Sequence, residues 1–206
     1  MSLIIGSGDV SKLISGKKTK GYRELWMKFI DPVPPNYNAL ASPIDALRTG
    51  AILEVPYLSY LGDDYYPQVK VPSKSMDVLN VSIDFAKYSK GEIIDFDELK
   101  TIFITDFIEI VKPMINESQA DQQKFVKAKF RSNYYQIQSQ LFASGLEAAN
   151  MAFLSVETYD DEKNESRVII DNDVVKFRIK KDDEAIKLIE DRLGIFQTVK
   201  DNFNES

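Results

Sequence analysis

Asp84 and the triplet Glu98-Leu99-Lys100 are the residues whose types and spacing could do chemistry together. In an extended segment, residues two apart project to one face, so Glu98 and Lys100 share a face that an acid on a neighbouring strand can reach. Two carboxylates and an ammonium gathered there could hold a divalent ion through oxygen and acidify a water. Lys100 would then stand beside a nucleophile or the charge developing on phosphorus. The Leu99 carbonyl faces away from its own side chain and could add a further oxygen ligand. Taken alone, the same residues read equally as a cross-strand ion pair on an exposed sheet face. A second acid-x-lysine triplet, Asp161-Glu162-Lys163, lies in a polar loop with no strand to aim it and is set aside.

Composition narrows the chemistry. The 206 residues include no cysteine and no histidine. Disulfide frameworks, thiolate zinc sites, iron-sulfur clusters, cysteine nucleophiles, Ser-His-Asp triads and imidazole bases are therefore all excluded. Carboxylates, lysines, tyrosines and hydroxyls remain, and they favour a hard ion such as Mg²⁺, with Mn²⁺ as a substitute, over zinc. An apolar fraction of 44 % suits a globular domain with a real core. No long apolar run or leader-like start is present, which implies a soluble, cytoplasmic protein with no membrane partner.

A formal charge of −6 does not by itself suit nucleic acid. The charge is unevenly spread, however. Lys12, Lys17, Lys18, Lys20, Arg23 and Lys28 face the single acid Glu24 within residues 11–30, with Tyr22 and Trp26 interleaved. Lys124, Lys127, Lys129 and Arg131 precede Tyr134 and Tyr135, while acids crowd the chain after residue 156. The pattern predicts a basic face and an acidic rear, or else merely solvated helix faces.

The elements that must position the triad follow from periodicity. Gly6-Ser7-Gly8-Asp9 predicts a capped short helix through Val10, Leu13 and Ile14. Tyr22, Leu25, Trp26 and Phe29 fall at helical spacing, and the proline-rich residues 31–36 stop that helix. Ser42-Pro43 opens a third helix that Pro56 kinks or shortens. Period-two alternation predicts strands over 68–71, 79–85 and 93–100, with Ser89-Lys90-Gly91 as the turn between the last two. Helices are expected over 103–112 and, as one long element closed by Gly145, over 120–144. Strands over 149–158 and 168–179 flank a polar loop at 159–166, and Asp182 caps a last helix. The simplest assembly is one α/β domain over 1–206, with a mixed central sheet flanked by helices.

Asp84 with Glu98-Leu99-Lys100 resembles the PD-(D/E)xK nuclease signature, and the order of features around it resembles the YqaJ-like, phage lambda exonuclease-like branch. The opening Ile5-Gly6-Ser7-Gly8-Asp9-Val10 and Tyr22-Arg23-Glu24-Leu25-Trp26 are similar to that branch's first helix and aromatic helix. Arg48-Thr49-Gly50-Ala51-Ile52-Leu53-Glu54 resembles its glycine-xxx-glutamate helix, and Tyr134-Tyr135-Gln136-Ile137-Gln138 its glutamine-x-glutamine helix. The likeness spans residues 4–160. Phe85 stands where the family has glycine, and no proline precedes Asp84.

The resemblance implies a restriction-endonuclease-like core with Asp84, Glu98, Glu54 and the Leu99 carbonyl on a Mg²⁺ ion. Lys100 would be the catalytic lysine, and Gln136 would assist near the attacking water. It also implies that Ser82 and Ser7 contact DNA phosphates; as residues they read equally as a strand serine and a helix cap. Glu54 and Gln136 likewise read equally as a surface helix acid and an ordinary helix glutamine. Lys17, Lys18, Lys20 and Arg23 are candidates, by position, for gripping a 5′-phosphate. The implied activity is 5′→3′ degradation of double-stranded DNA ends in phage or prophage recombination, by a ring-shaped trimer with a single-strand annealing partner. The alternatives are an endonuclease or resolvase of the same core, and a non-catalytic DNA-binding derivative.

Overall fold

The computed structural model describes residues 4–30, 40 and 42–204. The expected proline-rich stop at 31–36 lies outside them. A 3-10 turn, Ser7–Asp9, runs into α1 (Val10–Ile14), followed by α2 (Lys20–Ile30) and α3 (Asp45–Leu61). Three strands follow, β1 (Tyr65–Pro72), β2 (Asn80–Ser89) and β3 (Glu92–Phe103). Next come α4 (Ile104–Asp106) with its π-helical and 3-10 continuation to Met114, then α5 (Gln119–Lys129), α6 (Arg131–Ser144) and β4 (Ala148–Val156). The chain closes with α7 (Asp161–Glu165), β5 (Val174–Lys180) and α8 (Asp183–Asn204).

The sheet has five strands in the order β1-β2-β3-β4-β5. Pairing is antiparallel except between β3 and β4, where the helices from α4 to α6 supply the crossover a parallel pair needs. The expected α/β fold with a mixed sheet between helices is therefore observed. Its larger core packs α1, α2, α6 and α8 against the sheet, with Leu13, Phe29, Ile137, Phe177 and Phe196 fully or almost fully buried. A smaller core holds Leu53 and Tyr57 of α3 against Phe85, Leu99, Ala152 and Leu154.

Several local expectations are corrected. The long helix expected over 120–144 is two, broken at Phe130 (φ −121°, ψ 47°), whose ring packs on Phe125 and Phe153. Pro56 does not shorten α3, which runs on to Leu61 with the proline buried inside it. Ser42 accepts from the Ile44 amide, so the helix itself begins at Asp45. The expected last strand starts at Val174 rather than 168, after a 3-10 turn at Asp171–Asp173. Asp161-Glu162-Lys163 lies in the short α7, capped by Asp160. Ser7 and Asp9 make no side-chain helix cap: Ser7 turns to β2, while Asp9 pairs with Lys12 and Lys28.

Two expectations hold in detail. Lys90 (φ +52°) and Gly91 (φ +84°) make the β2–β3 turn. Asp182 Oδ1 accepts from the Glu184 and Ala185 amides at the start of α8. No helix among the described residues is long and apolar enough to cross a membrane.

Candidate active site

The β2–β3 ladder runs from Ser89↔Glu92 to Phe85↔Asp97 and stops there. Beyond it the Leu99 amide donates instead to Asp84 Oδ2 at 3.0 Å, so a side chain takes over where strand pairing ends. Strand alternation then sends Glu98 and Asp97 to opposite sides of β3.

Glu98 is fully buried. Lys100 Nζ donates to its Oε1 at 2.7 Å, and Gln140 Nε2 donates to its Oε2 at 2.5 Å. Above this strand a cleft of about 430 Å³ is lined by Leu47, Gly50 and Glu54 of α3, by Asp84, by Glu98 to Thr101, and by Asn133 and Gln136 of α6. A Cβ at Gly50 would lie 3.4 Å from Thr101 Oγ1, so α3 passes within van der Waals reach of β3 at this point.

The electrostatics follow from burial. Asp84 is driven well above the usual carboxylate range, first by desolvation and then by the Glu98 charge, against the opposing Lys100 ammonium and Leu99 amide. Glu54 is raised as well, by burial and secondarily by Glu98, while its hydrogen bond from Gln68 works the other way. Burial disfavours the charged form of Lys100, but Glu98 and Asp84 outweigh it and hold the ammonium charged.

Among the described residues no three acids stand close enough to make a ready-formed cage. Each carboxylate is instead held by a donor of the protein: Glu98 by Lys100 and Gln140, Asp84 by Leu99, Glu54 by Gln68. The donor set nevertheless suits a hard cation. It is all oxygen, and three acids and one lysine line the same cleft. Gln140 Oε1 is in addition a buried acceptor with no partner. Glu54, Asp84, Glu98 and the Leu99 carbonyl are the groups that would hold the ion.

The structure thus brings Glu54, Asp84, Glu98, Leu99, Lys100 and Gln136 to one cleft. The other residues singled out in the sequence lie elsewhere. Ser82 is outside the cleft lining; its carbonyl accepts from Ser7 Oγ at 3.3 Å and from Gln140 at 2.7 Å. Ser7 is 4 % exposed and committed to that contact. Lys17, Lys18, Lys20 and Arg23 are exposed and line no part of the cleft. Tyr22 and Trp26, interleaved with them, pack on Phe196 of α8, with Trp26 stacked at 4.0 Å. Tyr134 is likewise buried, its hydroxyl on Asp182.

Sequence reasoning missed two features. Gln140, not Gln136, touches the strand acid; it lies four residues further along the same helix face, a spacing that could have revealed it. Gln138, the second glutamine of the quoted motif, faces away and bridges the Lys180 carbonyl and the Asp182 amide. The other omission is fully buried Asp97, which accepts from Tyr57 at 2.7 Å and Asn150 at 2.8 Å and pairs with Lys176 at 2.7 Å. Phe85, in place of the expected glycine, fills the smaller core against Tyr57 at 5.2 Å between ring centroids.

No family model matches the chain, and no curated protein matches it by sequence. Solved structures do. An alkaline exonuclease (LHK-Exo) from Laribacter hongkongensis superposes with a TM-score of 0.61 at 15 % identity, over 99 % of this chain and 91 % of that one. The same protein in complex with dAMP gives 0.60 at 16 % identity, again over 99 % and 91 %. A phage related exonuclease from Haemophilus somnus 129PT gives 0.59 at 15 % identity, over 100 % and 96 %. Across nearly its whole length, this chain has the fold of these exonucleases.

Proposed function

We propose that this protein is a Mg²⁺-dependent exonuclease that hydrolyses double-stranded DNA from an end in the 5′→3′ direction. The observation that carries the reading is the convergence of Glu54, Asp84, Glu98 and Lys100, from one helix and two strands, on one cleft. A fold shared with proteins described as exonucleases supports it.

In this reading Asp84, Glu98 and Glu54 hold the ion, helped by the Leu99 carbonyl. When bound, the ion supplies Lewis acidity and an acidified water. Lys100, kept charged by Glu98 and Asp84, offers its ammonium to the negative charge growing on the scissile phosphate. Gln136, in the cleft wall, presents an amide to the phosphate or the water. Lys17, Lys18, Lys20 and Arg23 then serve the duplex electrostatically rather than at the reacting centre. Phage-type recombination in a bacterial cytoplasm, a ring-shaped trimer and a single-strand annealing partner complete the proposal.

The test is digestion of linear and covalently closed duplex, with and without Mg²⁺, by the wild type and Lys100→Ala. End-dependent loss of linear DNA that needs both the ion and Lys100 is expected. Cutting of closed circles would favour an endonuclease, and undiminished activity of Lys100→Ala would reject the site.

A further inference from the structure

Gln68 has a left-handed backbone (φ +53°) inside β1, one of the two non-glycine residues with positive φ among the described residues; the other is in the β2–β3 turn. Glutamine gains nothing intrinsic there, because left-handed geometry is disfavoured for residues carrying a Cβ and is eased only by glycine, asparagine or aspartate. Strain kept in this way points to a local demand. In the β1–β2 register Pro67 faces Phe85 and Val69 faces Ile83, so Gln68 stands opposite Asp84.

The side chain shows what the turn of backbone achieves. Gln68 Nε2 donates to Glu54 Oε2 at 3.0 Å, and its Oε1 accepts from Ser82 Oγ at 3.3 Å. Engaging both ends of the amide fixes which end faces Glu54. The Ser82 carbonyl accepts from Gln140, which also donates to Glu98. One continuous chain therefore runs Glu54, Gln68, Ser82, Gln140, Glu98, and joins the helix acid to the strand acid across the cleft. Gln68 occupies one oxygen of Glu54 and leaves the other for the cleft.

We propose, on the basis of the metal-dependent reading above, that Gln68 is a positioning residue that sets the orientation in which Glu54 serves a divalent cation. Partners behind a ligand commonly alter metal affinity about 10- to 100-fold when removed.

The experiment is calorimetric titration of Mn²⁺ into the whole protein and into Gln68→Gly and Gln68→Asn, alongside ion-free melting curves. Glycine and asparagine both accept the backbone geometry; the first lacks the amide, and the second carries it one methylene too short. Both variants should bind Mn²⁺ at least about ten-fold more weakly while melting at or above the wild-type temperature. Unchanged Mn²⁺ affinity in the variants would overturn the role of Gln68 and leave the nuclease reading standing. Weaker binding accompanied by an equally lowered melting temperature would overturn it too, as a sign of general damage. A wild type that takes up no Mn²⁺ would instead overturn the metal-dependent reading itself.

Discussion

The Tyr57 hydroxyl donates to Asp97 Oδ2 at 2.7 Å and so ties the helix that carries Glu54 to the strand that carries Glu98 and Lys100. Tyr57 is three residues beyond Glu54, and Asp97 is the residue before Glu98, so the bond sits directly behind the cleft. Burial and the Asp97 charge both raise the phenol's pKa, keeping it a neutral donor at any working pH.

Tyr57→Phe keeps the ring packing and removes only this bond. A loss of about 1–2 kcal/mol in urea unfolding is expected, because Asp97 keeps Lys176 and Asn150. Lys176→Met should be worse, by about 3 kcal/mol, since it leaves a buried carboxylate without its cation. Equal losses in the two variants would show that Lys176 is not what neutralises Asp97.

The three glutamines of α6 should separate by role. Gln138→Ala is expected to lower stability by about 1–3 kcal/mol, because it frees a carbonyl and an amide, with little effect on turnover per folded molecule. Gln136→Ala, in the cleft wall, should leave the melting temperature unchanged and reduce kcat. Gln140→Ala should do both. A Gln140 variant with normal turnover would remove that residue from the site.

Asp84 gives a pH test with a definite sign. Its folded-state pKa is raised, chiefly by burial and then by Glu98. Protonation therefore favours the fold: the stabilisation is full below the unfolded aspartate value of about 3.9 and is lost as pH rises through the higher folded value. At pH 8 without divalent ions, Asp84→Asn should be the more stable protein, by on the order of 1 kcal/mol, and its advantage should shrink on acidification. Saturating Mg²⁺ should reverse the order, since binding at 100 times Kd stabilises by about 2.7 kcal/mol. Parallel melting curves across pH would contradict the assignment.

Among the described residues, Lys100 is the cation beside Glu98 and Asp84, and Lys100→Met removes it. Activity should fall at least about 100-fold, and ion-free stability should drop by about 2 kcal/mol as Glu98 loses its ion pair and keeps only Gln140. Mn²⁺ should restore most of that stability without restoring activity. Failure of Mn²⁺ to raise the variant's melting temperature would argue against a cation held by these acids.

The strands that carry the candidate site were legible because alternation over 79–85 and 93–100, with Lys90-Gly91 between, leaves little choice of register for Asp84 against Glu98 and Lys100. Glu54 came only through its resemblance to a family motif, because an acid on an amphipathic helix carries no local mark of function. The break at Phe130 had no signal at all: there is no proline or glycine there, and the helix yields to the packing of that ring on Phe125 and Phe153. Gln140 was hidden by attention to a two-residue spacing where the helix repeats nearer four. Asp97 was hidden because alternation says which face a strand acid takes and not which partners wait there. The basic stretch before Ile30 was legible as charge, but its aromatics belong to the core.

The side chain that ends the β2–β3 ladder also accepts a peptide N–H that would otherwise have lost its strand partner. If Asp84 holds the ion as proposed, most replacements of it would therefore abolish cleavage and strand that N–H in the same stroke. Asparagine keeps an oxygen for Leu99 while shedding the charge, so D84N is the variant with which an uncut duplex could be trapped on an undisturbed sheet.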